Sequence, residues 1–107
     1  MNFRNMMKER VLAMAGPENE ASVKRLASEM RRQIKTRNLK ETPFLTVRIH
    51  AAMVSLVRVL RVEKELMSPD AADEAYERWE KATESLQRAT EEFEKALERV
   101  DKTVAVP

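Results

Sequence analysis

The chain has no cysteine, which excludes a disulfide framework, a thiolate metal site and a cysteine nucleophile. It has one glycine in 107 residues. No glycine-rich phosphate loop can be built from that, and a turn-dense all-β architecture is excluded on the same ground. Aromatic residues make up only 5% and none interleaves the basic clusters, so stacking on nucleobases is unsupported. His50 is the only histidine, and no second histidine or cysteine exists to complete a metal set with it. Ser55 has no base at a helical offset, and Glu63 and Glu65 point to different sides of a helix, so neither a nucleophile nor a carboxylate pair is expected. Long uncharged runs are also missing. The most apolar stretch, residues 44–62, is interrupted by Arg48, His50, Arg58 and Arg61, and lacks the ~18 uncharged residues of a membrane span. Arg4, Lys8, Glu9 and Arg10 break the N-terminal stretch in the same way, which argues against a signal peptide. The expectation is a cytoplasmic protein that is not an enzyme, with no catalytic residues, cofactor, metal or membrane partner.

What remains is helix-forming material in quantity: 43% hydrophobic and 36% charged residues, with only four prolines. The net charge is +2, unevenly spread. Residues 1–67 hold 14 Lys and Arg against 7 Asp and Glu (+7), whereas residues 68–107 hold 6 against 11 (−5). Such a chain can pair its halves within one molecule or between molecules.

Gly16-Pro17, Pro43 and Pro69 divide the chain into four segments of helical character. In the first, residues 3–15, Phe3, Met6, Met7, Val11 and Met14 recur at three- and four-residue steps. Together with Met1, its methionines suit either an adaptable binding surface or core filling. The second segment, about 18–37, places Pro17 at its first helical position and sets Val23, Leu26, Ala27, Met30 and Ile34 in one stripe. The third opens with Thr42 as N-cap and Pro43 at N1, and runs to about residue 67. Leu45, Ile49, Ala52, Met53, Leu56 and Leu60 form one face, and Val47, Ala51, Val54 and Val57 broaden it, as in a central helix. Leu45 to His50 also alternates as a strand would, but about 25 residues without a turn signal favours helix.

The fourth segment opens with Ser68 as N-cap, Pro69 at N1 and Asp70 and Asp73 in the first turn. It then reads as heptads. One column is Tyr76, Thr83, Thr90, Leu97 and Val104, and another is Ala72, Trp79, Leu86, Phe93 and Val100. Ala75, Ala82, Ala89 and Ala96 repeat beside them. Glu77–Lys81, Glu84–Arg88, Glu91–Lys95 and Glu98–Lys102 are spaced as i,i+4 pairs. The predicted architecture is a single all-α domain over residues 1–107. It is an elongated bundle built on an antiparallel hairpin of two long helices (about 43–67 and 69–103), with two shorter basic helices in residues 1–40.

Two functions fit this pattern. The first is a structural or adaptor role through coiled-coil-like helix association, as a homo-oligomer with a dimer favoured, or with another protein. Tyr76, Trp79, Leu86, Phe93, Leu97 and Val100 would pack that interface. The second is nucleic-acid binding of a regulatory or DNA-packaging type. Lys24, Arg25, Arg31, Arg32 and Lys35 would form a phosphate-binding strip, with Arg37 and Lys40 nearby. A solvated face, or one paired with the acidic fourth segment, accounts for the same strip.

Overall fold

The computed structural model describes the backbone of residues 2–105 and the side chains of residues 2–100. Four helices follow one another: α1 (Phe3–Ala15), α2 (Glu20–Thr36), α3 (Pro43–Leu66) and α4 (Asp73–Ala105). The chain is all-α as expected. No strand occurs among the described residues, and Leu45 to His50 is helical. Met1, and the side chains of Asp101, Lys102 and Val104, lie outside the described residues.

Local chemistry explains most of the boundaries. The Asn2 side chain accepts a hydrogen bond from the Asn5 amide at 2.8 Å and so caps α1. Gly16, at φ 81°, ends that helix in a conformation that L side chains resist. Thr42 caps α3 by accepting from the Leu45 amide, with Pro43 at N1. α2 ends in a two-bond cap: the Asn38 amide donates to the Lys35 carbonyl at 2.9 Å, and the Leu39 amide donates to the Ile34 carbonyl at 3.1 Å. Asn38 takes the left-handed conformation, φ 55°, in place of the glycine such a cap usually carries, and Leu39 folds back onto the core.

Two predicted helix starts are corrected. α2 begins at Glu20 rather than at Pro17, and α4 at Asp73 rather than at Pro69. In both places proline occupies the second position of a β-turn. The Asn19 amide donates to the Gly16 carbonyl, and the Ala71 amide donates to the Ser68 carbonyl, each at 3.2 Å. A β-turn and a helical N1 position ask the same φ of proline, about −65°, so the sequence signal is the same. Ser68 still caps, but it caps the turn, accepting from the Asp70 amide.

α3 lies at the centre, with α1, α2 and α4 all packed against it and α1 also touching α2. The core joins Val11, Val23, Ile34, Leu45, Ile49, Val57, Phe93 and Leu97 from all four helices. α3 and α4 pack closely. Late α3 meets early α4, where Arg78 pairs with Glu65 and the Trp79 Nε1 donates to Glu63. Early α3 meets later α4, where Arg48 and Ala51 face Ser85, Arg88, Ala89 and Glu92. Glu63 and Glu65 therefore both bond to α4. The molecule measures 59 × 28 × 18 Å, and α4 alone accounts for ~50 Å of that at 1.5 Å per residue.

α3 is long and apolar enough, by length and composition, to cross a membrane. Here it is enclosed on three sides by other helices, and a helix at the centre of a bundle carries the same composition.

Candidate basic groove and open apolar stripe

α2 turns its apolar stripe, Val23, Ala27, Met30 and Ile34, into the core, which leaves its cations on the outer side. Lys24, Arg25, Arg32 and Lys35 are exposed. Lys24 pairs with Glu20 at 2.7 Å, and Arg32 pairs with Glu29. Arg31 is different. Its side chain is only 14% exposed, and its Nε donates to Glu41 Oε1 at 2.8 Å. The five-residue strip is thus four surface cations and one tied inward.

Glu41 is the centre of a small polar cluster. Arg31 donates to both of its oxygens, the Thr46 hydroxyl donates to Oε2 at 2.6 Å, and Arg4 of α1 stands 3.8 Å away. Burial pushes the Glu41 carboxyl up, but the hydrogen bonds from Arg31 and Thr46 and the charges of Arg31 and Arg4 outweigh it, so it lies below the ordinary value. The cluster ties α1 and α2 to the start of α3.

The fold adds residues that the sequence reading did not assign to this site. α1 runs beside α2 and brings Arg4 and Lys8 to the same side. A groove of about 430 Å³ is lined by Arg4, Ser28, Arg31, Arg32, Lys35 and Glu41, together with Ile34 and Leu39. A second depression of about 160 Å³ continues it through Lys8 and Lys24. The signal for them in the sequence is the i,i+4 spacing of Arg4 and Lys8 on α1, opposite Met6.

A second feature is apolar. Phe44, Val47, Ala51 and Val54 share one stripe of α3 at three- and four-residue steps, continued by Arg58 and Arg61. α1 borders it on one side, where Arg61 donates to the Met14 carbonyl. α4 borders it on the other, at Arg48 and Ala51. The stripe is open at its start, where Phe44 is 40% and Val47 45% exposed, and half-buried at Ala51 and Val54; Phe3, Met6 and Met14 of α1 are exposed as well. Arg48 lies over the Phe44 ring, 5.3 Å from its centroid. His50 is half-buried at the α1–α3 margin. Burial first, then the Arg10 charge, lower its pKa, against the hydrogen bond to Met7.

The heptad positions of α4 are placed unequally. Phe93 and Leu97 are buried, as are Ala75 and Ala96 of the alanine column. Trp79, Leu86 and Val100 are half-buried, and Tyr76 is exposed. The expected Glu91–Lys95 pair does not form. Lys95 lies 3.9 Å from Glu92, and Glu91 accepts from Gln87 instead. No protein family, curated protein or solved structure matches this chain.

Proposed function

We propose that this protein is a non-enzymatic helix-association module that forms a homodimer through α3. The observation that supports it is the stripe of Phe44, Val47, Ala51 and Val54 on the central helix, of which Phe44 and Val47 are exposed and Ala51 and Val54 only half-buried by the chain's own helices. In this reading α3 and α4 form an antiparallel hairpin, and a second copy lays its own α3 along the stripe, giving a four-helix core with α1 and α2 at its flanks. The spacing suits it. With two α3 helices antiparallel about Ala51, Val47 meets the partner's Val54, and Phe44 meets the partner's Arg58, a cation over an aromatic ring. Small Ala51 at the centre permits close approach. Sedimentation equilibrium tests the proposal, with a dimer expected at micromolar concentration. Val47→Asp, at a position 45% exposed, should give a folded monomer with unchanged helical circular dichroism. A monomeric wild-type protein, or a Val47→Asp variant that remains dimeric, overturns it.

A further inference from the structure

We propose that the groove between α1 and α2 binds the phosphate backbone of nucleic acid without reading its sequence. The groove is continuous from Lys8 and Lys24 to Arg32 and Lys35, and Arg4, Ser28 and Arg31 line both of its parts. Lys24 and Lys35 are 11 positions apart on the helix, or ~16 Å, the axial rise of about five base pairs of a duplex at 3.4 Å each. The cations differ in availability. Arg31 is committed to Glu41 and shapes the floor. Lys8 meets Glu20 only as a nearby charge, Arg4 touches Glu41 only at 3.8 Å, Lys35 is exposed, and the exposed Arg32–Glu29 pair is weak enough to exchange for phosphate. Four cations, Arg4, Lys8, Arg32 and Lys35, can therefore meet phosphates, and the Ser28 hydroxyl can donate to one. The groove holds no aromatic side chain, so bases would not stack there. The acidic α4 packs on α3 rather than beside the groove, which orients a polyanion toward the groove and away from α4.

The test is fluorescence anisotropy of the full chain with a labelled random duplex and a labelled single strand of the same length. Four phosphate contacts predict a log–log salt slope of about −3.6 for the duplex, or roughly a hundredfold loss of affinity between about 50 and 200 mM salt. Lys8→Glu with Lys35→Glu should weaken binding at least ~tenfold at low salt and reduce the slope by about 2. A control with the same change in net charge, Lys81→Glu with Lys95→Glu on α4, should bind much as the wild type does. Circular dichroism establishes that both variants fold. Absence of binding at low salt, equal weakening by both double variants, or tighter binding to polyglutamate or to phosphatidylserine vesicles than to duplex would each overturn the proposal. The Val47→Asp monomer should still bind, which separates this site from the dimer.

Discussion

Removal of the Glu41 carboxylate should cost far more than its place in a connecting segment suggests. Glu41→Ala strands the Arg31 guanidinium, whose side chain is 14% exposed, beside Ile34 and Leu39. Thr46 loses one partner but keeps its bond to the Thr42 carbonyl, so its hydroxyl is not orphaned. The loss is therefore mainly that of a charge-assisted pair in a partly desolvated place. Such bonds contribute about 1.5–3 kcal/mol, an exposed pair less than about 1 kcal/mol, and a stranded buried charge about 3–5 kcal/mol. With Arg31 14% and Glu41 13% exposed, the expected loss is ~2–3 kcal/mol. Urea denaturation at neutral pH, followed by circular dichroism, measures it directly, and the slope of the transition should not change. The pH dependence gives a second signature. The folded carboxyl titrates below its ordinary value of 4.5, so its contribution is complete above that value and is lost as pH falls through the folded value. Glu41→Gln should flatten that acid limb while keeping the acceptor for Thr46. A loss below about 0.5 kcal/mol for Glu41→Ala, with an unchanged acid limb, would refute the reasoning and make the cluster an ordinary surface ion pair.

The core makes a graded prediction: Phe93→Ala, at a fully buried site, should cost about 3–5 kcal/mol, and Leu86→Ala, at a half-buried one, clearly less, by thermal or urea denaturation. Equal losses would mean that α4 packs differently. His50 predicts a separate pH effect. Its lowered pKa keeps it neutral in the folded protein, so its contribution to stability is complete above 6.5 and is lost as pH drops from there through the folded value. His50→Gln should remove this dependence, and the imidazole proton shifts of the wild type should titrate below 6.5.

The helical class, α1 and α3 were legible because their ends carry unambiguous chemistry: Gly16 at a positive φ, and Thr42 followed by Pro43. The starts of α2 and α4 were not, because Pro17 and Pro69 serve β-turns whose backbone preference a helix shares. The basic strip was legible as periodicity on α2, but its partition was not. That Arg31 turns inward depends on Glu41 and Thr46, which come from the next connection and the next helix. Periodicity within one helix does not reveal which neighbour lies beside it. For the same reason nothing in α2 points to Arg4 and Lys8, and an Arg31→Glu, Arg32→Glu pair would disturb folding as well as any binding by the strip.

The position of α1 has a kinetic consequence. α3 and α4 are joined by only six residues, 67–72, so their contact closes a short loop and can form early. α1 packs on α3 with the whole of α2 between them in the chain, and it buries only Val11 and Ala15 fully. Its docking closes a longer loop for a smaller gain. In native-state hydrogen exchange, α1 amides should therefore open well before those of α3, as a separate cooperative unit, while the central helix keeps its protection until the whole molecule unfolds.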